Sequence, residues 1–255
     1  MLKHRVIPAL LLRNGGLVKT TQFKDPKYVG DPINAIRIFN DKEVDELMVL
    51  DITASKESRE PNFALIEQLA GECFMPLAYG GGIRTVHQAR QLFALGVEKV
   101  CLQTAALGNP NLISKLANQF GSQSVMVSVD VKKNWFGKPK LYQSAASKLM
   151  NAAWLDKLHE LVSAGAGEVL INSVDKDGTL SGPDLQLIKQ AADHLGVPLI
   201  AVGGVSSLTD IKACVDAGAS AVAAGAFFVY HGPHRAVLIT YPKYQDLEQL
   251  FKGIT

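Results

Sequence analysis

The chain has 255 residues, 47% hydrophobic and 20% charged, which provides for a large packed core and excludes a disordered segment. A formal net charge of +2 excludes the strong basic excess of a nucleic-acid-binding surface, so no nucleic-acid partner is expected. Its three cysteines, Cys73, Cys101 and Cys214, stand far apart without a Cys-x-x-Cys spacing, so neither a metal site nor a disulfide framework is expected, and the thiols read as buried and reduced in a cytoplasmic protein.

The first apolar run, Val6–Leu12, follows Lys3-His4-Arg5. It is too short to cross a bilayer, lacks a small-residue cleavage site and runs into the turn at Asn14-Gly15-Gly16. It reads as a strand over 5–12, and no membrane partner is expected. Seven more short, continuous apolar runs follow, near 46–51, 76–80, 99–103, 125–131, 168–173, 198–203 and 221–226. Runs of this kind mark parallel strands buried on both faces. Between them lie stretches of helical pattern at 62–70, 88–94, 113–118, 154–161, 185–191 and 208–214. The glycine pair Gly81-Gly82, closing an apolar run that starts at Pro76, recurs 122 residues on as Gly203-Gly204 behind Pro198. The same offset of 122 joins the segment 96–106 to 218–228. Eight strand–helix units with an internal repeat predict a single (β/α)8 barrel over 1–255, with half-barrels of roughly 1–122 and 123–255. A doubly wound open sheet is the weaker alternative, because it requires neither eight units nor a repeat. The longer insertions, Gly15 to about Ile36 and Lys132 to about Ser147, fall after strands 1 and 5 and read as mobile covers over the mouth.

Glycine turns let backbone N–H groups approach an anion. Gly203, Gly204, Gly225 and Ala226 follow strands 7 and 8, and the repeat places Gly81, Gly82, Gln103 and Thr104 opposite them. Two anion turns across one mouth predict a bisphosphorylated ligand, with Lys19 as a candidate phosphate contact. Asp130, ending an apolar strand, is the candidate general acid–base. Aligning strand 5 on strand 1 sets Leu11 opposite it, so paired-carboxylate chemistry is unavailable from these two positions. Asp51 ends strand 2, and Asp177 is placed to orient substrate hydroxyls or simply to form an Asp-Gly turn. At the other end, Arg5, Glu46, Lys99 and Glu168 open four strands with alternating sign. They read either as an ion-pair ring closing the floor or as separate solvated charges.

Arg5-Val-Ile-Pro8, Val18-Lys19, Leu50-Asp-Ile-Thr-Ala-Ser55, Gly80-Gly-Gly-Ile83, Thr104-Ala-Ala106 and Asp177-Gly-Thr179 together resemble the cyclase subunit of imidazole glycerol phosphate synthase over nearly the whole length. The resemblance implies a glutaminase partner on the N-terminal face, forming a heterodimer, and ammonia conducted through the core past a gate of Arg5, Glu46, Lys99 and Glu168. It implies substrate and phosphate contacts at Lys19, Gly82, Thr104, Asp177 and Gly204, and no cofactor. The family closes an imidazole ring with two aspartates; Asp130 matches one position and Leu11 stands at the other. Gln103, Asn172 and Ala226 also replace an expected asparagine, threonine and serine. The segment His231–Pro242 resembles a branch found with surface-polysaccharide genes, where ammonia serves acetamidino-sugar formation and a third protein forms the amidine. On composition alone that segment reads as a final helix with a basic patch. The leading expectation is therefore an ammonia-conducting subunit of that branch. The alternatives are a working cyclase–lyase of histidine synthesis, using Asp130 alone or with Asp51, and a non-enzymatic bisphosphate sensor.

Overall fold

The computed structural model describes residues 4–252. Its eight parallel strands are β1 (Arg5–Arg13), β2 (Leu47–Asp51), β3 (Leu77–Gly80), β4 (Lys99–Leu102), β5 (Val125–Lys133), β6 (Glu168–Ser173), β7 (Leu199–Val202) and β8 (Ala221–Ala224). Each pairs with its successor, and β8 pairs back on β1 through Arg5↔Ala221 to Pro8↔Ala224, closing the sheet. The fold is thus a (β/α)8 barrel, and closure excludes the open doubly wound alternative. Every expected strand is present to within two residues at each end.

Period-two alternation divides each strand between two cores. Ile7, Ala9, Met48, Ala78, Cys101, Met126, Leu170, Ile200, Ala221 and Ala223 pack inside the barrel. The alternate residues, among them Val6, Leu10, Tyr79, Val100, Val127 and Val169, pack outward against the helices. Cys101 and Cys214 are buried, but Cys73 is only half-buried, contrary to the expectation for all three.

The helices are fixed by local capping. Thr85 and Gln88 form a reciprocal capping box at Val86–Ala94, while Asp184 and Ser207 cap Leu185–Ala192 and Leu208–Asp216. Asp31 caps a helix, Pro32–Asp41, that the reading of a loop to about Ile36 missed. The Asp31-Pro32 pair is a helix start, because proline at the first position loses no intrahelical bond.

The two long insertions are hairpins and not irregular covers. Asn14 and Gly15, at φ 51 and 79, turn β1 back into the strand Gly16–Thr21, which pairs in turn with Lys24–Gly30. Pro139–Gln143 folds back on the end of β5. The segment His231–Pro242 also departs from the helix expected on composition: Tyr230–His231 pairs with Ala236–Val237, and the helix begins only at Tyr244. Arg235 donates to the carbonyls of Gly178 and Thr179, so this hairpin lies beside the mouth.

Candidate functional site

At the floor, the four charged residues meet. Arg5 donates to Glu46 and Glu168, and Lys99 Nζ reaches Glu46 at 3.2 Å and Glu168 at 2.8 Å. Two cations and two carboxylates alternate around one closed ring, and the separate-charge reading is set aside. Burial works against the Arg5 charge, but Glu168 and Glu46 outweigh it and raise the guanidinium pKa.

At the opposite end lies a cavity of about 190 Å³. Of the candidate residues, Lys19, Asp51, Gly81, Gln103, Thr104, Asp130, Asp177, Gly203, Gly204, Gly225 and Ala226 line it, and Gly82 does not. A Cβ on Gly82 would meet the Arg59 carbonyl at 2.8 Å, and its N–H turns to Ser55 Oγ at 3.3 Å. The 122-residue offset persists in the backbone: Gly81 and Gly82 have φ 120 and 75, Gly203 and Gly204 φ 109 and 89. No side chain fits at these turns, since a Cβ on Gly81 or Gly204 would lie 2.5 or 2.2 Å from a carbonyl oxygen.

Lys19 lies buried, its ammonium donating to the Ala9 carbonyl at 2.5 Å and crowding Gly225, whose Cβ would sit 2.2 Å from Nζ. Burial lowers its pKa to about 8, against the pull of Asp177, so it is largely charged at neutral pH and loses that charge as pH rises through 8. It therefore brings positive charge to the Gly225-Ala226 turn.

Asp130 is the centre of a hydrogen-bonded chain. Gln103 Nε2 donates to Asp130 Oδ2, Ser128 Oγ donates to Oδ1 at 3.2 Å, and Ser144 Oγ donates to Gln103 Oε1 at 2.5 Å. Burial pushes the carboxyl up to about 7, while the hydrogen bonds from Ser128 and Gln103 hold it down. Near neutrality it is thus present in both acid and base forms. Gln103→Leu removes a donor to the charged form, so Asp130 is expected to titrate higher than in the unaltered chain. Carboxyl 13C chemical shifts against pH check this, and an unchanged titration would count against the chain of contacts.

Asp177 also lines the cavity and pushes the Asp130 carboxyl further up, but its own carboxylate is held by the first hairpin. Leu11 lines the cavity together with Ala9, Leu50, Val202 and Ala226, giving an apolar wall opposite the polar one. Asp51 is committed to its own loop: Oδ1 accepts from Thr53 N, Thr53 Oγ1 and Ala54 N, each at 2.9 Å, and Oδ2 lies 3.8 Å from Arg59. Strand parity sends Leu50 inward, while Asp51 borders the cavity with its carboxylate held by its own loop. Asp177 Oδ2 accepts from Thr20 Oγ1 and Phe23 N, tying the first hairpin over the mouth. Burial raises its pKa, opposed by those hydrogen bonds and by Lys19.

Sequence reasoning missed Ser128 and Ser144. Ser128 shares inward parity with Asp130 and was legible from that spacing. Ser144 lies in a Ser-Ala-Ala-Ser turn that carries no periodic signal. Among the described residues, no group of three or more His, Cys, Asp or Glu converges as a metal-binding set.

The histidine biosynthesis protein family matches residues 5–234. A Pseudomonas aeruginosa protein, provisionally named imidazole glycerol phosphate synthase subunit hisF2, is 51% identical over 97% of this chain and 99% of its own length. A Leptospira interrogans protein, provisionally named imidazole glycerol phosphate synthase subunit HisF, is 46% identical over 98% of this chain and all of its own. The imidazole glycerol phosphate synthase subunit HisF of Alkaliphilus metalliredigens is 38% identical over 91% of this chain and 92% of its own.

Proposed function

The chain belongs to the histidine biosynthesis protein family, among the cyclase subunits of imidazole glycerol phosphate synthase, and from that premise we propose that it is an ammonia-conducting subunit that has lost the family's ring-closing step. The observation that carries this reading is Leu11 in the wall facing Asp130, with Asp51 and Asp177 both engaged elsewhere. Ring closure moves protons at two places, and a hydrocarbon side chain neither takes nor gives one.

The rest of the barrel is equipped for delivery. Cyclase subunits of this family partner with a glutaminase, and the ring of Arg5, Glu46, Lys99 and Glu168 sits where ammonia from such a partner would enter. Ala78, Ala221 and Ala223 keep part of the barrel interior in small side chains. Lys19 and the paired glycines suit a phosphorylated ligand at the mouth. We assign the ammonia to acetamidino-sugar formation for a surface polysaccharide, with a third protein forming the amidine; the likeness of His231–Pro242 to that branch supports this.

The test is reconstitution. Purified with its glutaminase and given the histidine-pathway intermediate with glutamine, the complex should release ammonia without forming imidazole glycerol phosphate. Turnover at the rate of an authentic cyclase would defeat the proposal and restore the cyclase–lyase reading, which the titration of Asp130 near 7 favours.

A further inference from the structure

The hairpin that continues β5 beyond the mouth has a composition unlike the rest of the surface. From Lys132 to Lys148 it holds five lysines and no acidic residue, in a chain whose net charge is +2. Lys133 pairs with Asp184 at 2.8 Å and Lys132 lies over the ring of Tyr142; among the described residues, Lys138, Lys140 and Lys148 form no ion pair. The tip is tightly built. Asn134 Oδ1 accepts from the N–H groups of Phe136 and Lys138, both at 3.0 Å, and Gly137 takes φ 74. That turn holds Trp135 and Phe136 out in water at 96% and 82% exposure. Two large aromatic side chains, adjacent in sequence and exposed on a hydrogen-bonded turn, call for a partner surface. Tyr28 of the first hairpin and Val237 and Leu238 of the last are also exposed.

We propose that the Trp135–Phe136 tip is a peripheral membrane anchor, its aromatic pair entering the headgroup region of an anionic bilayer while the surrounding lysines meet lipid phosphates. The choice of cation favours lipid over a protein partner. Protein interfaces are depleted in lysine and enriched in arginine, whereas four to eight basic residues beside an apolar anchor is the pattern that binds anionic leaflets. In such a contact lysine stems can cover apolar surface while their ammonium groups stay in the polar layer. The hairpin continues β5 beyond the barrel strands, with Val131, Lys132 and Lys133 paired to Leu141, Lys140 and Pro139. This is a reversible surface contact: among the described residues no helix is long and apolar enough to cross a membrane. The absence of a membrane partner was expected from the N-terminal run alone, which has no bearing on this hairpin. The inference is independent of what the barrel does with ammonia.

The chain has two tryptophans, and Trp154 is buried, so fluorescence changes on vesicle binding report Trp135. The full chain is titrated with vesicles of equal parts phosphatidylcholine and phosphatidylglycerol, and with phosphatidylcholine alone. Expected are a blue shift and co-sedimentation with the anionic vesicles only, both reversed by high salt. Phe136→Ala should weaken binding while keeping the reporter, and Lys138→Gln with Lys140→Gln should weaken it about thirtyfold at low salt. These side chains face solvent, so circular dichroism and thermal unfolding should match the unaltered chain. Emission unmoved by anionic vesicles at low salt would overturn the membrane assignment in favour of an acidic protein surface. Equal binding by Trp135→Ala with Phe136→Ala would overturn it by showing attraction through charge alone.

Discussion

Leu11→Asp is expected to raise imidazole glycerol phosphate formation by the glutaminase-bound chain, from background by on the order of 10²-fold, the lower end of what one positioned acid or base contributes. The side chain at position 11 projects into the mouth cavity, so the new carboxylate meets the ligand space and not the outer core. Burial pushes the Asp130 carboxyl up to about 7, so the pair would hold one ready base and one acid. The lower end is expected because Gln103 fills space above Asp130 and Ala226 offers no hydroxyl at the anion turn. Product quantified after a fixed incubation with glutamine, for Leu11→Asp and Leu11→Asn in parallel, provides the check. A gain from asparagine equal to that from aspartate would mean that polarity, and not proton transfer, limits the mouth.

Glu46→Gln is the second large effect, here on stability. Glu46 is 2% exposed and touches both cations of the ring. Neutralising it leaves Arg5 and Lys99 sharing Glu168 alone, two desolvated cations against one anion. Removing one partner of a buried pair costs about 3–5 kcal/mol. Because Arg5 and Lys99 retain partial contact with water, the expected loss is near the lower end, about 3 kcal/mol by chemical unfolding. Adding Lys99→Met should return part of that loss, since one cation then faces one anion. Lys99→Ala separates conduit from sensor: the share of glutamine-derived ammonia emerging at the mouth should change while glutamine hydrolysis continues. Unchanged delivery would assign the ring to stability alone.

The barrel strands were legible because parallel strands covered on both faces are short unbroken apolar runs, and nothing else in this chain looks like them. The hairpins were not. Lys24–Gly30 is exposed at its first five positions, so no buried face imprints a pattern on it. The floor residues stood out because charge at the start of an apolar strand demands a partner. Asp51 was legible at the mouth from its place at a strand end, and it borders the cavity; the loop that holds its carboxylate carried no signal. Gly82 differs from its counterpart Gly204, which lines the cavity: its N–H turns to Ser55, a difference the shared offset of 122 does not carry. Ser144 reaches Gln103 from 41 residues away, across a turn whose composition is that of any surface loop.

Cys101 lines the throat of the cavity below Asp130. Burial pushes its thiol well above the usual range, and the Asp130 carboxylate pushes it the same way. Thiolate is the attacking species in additions to carbonyls and in alkylation, so this sulfur is a poor nucleophile despite facing the space where a ligand would sit. A substrate carbonyl or other electrophile resting in the mouth would leave this sulfur unmodified through repeated turnovers.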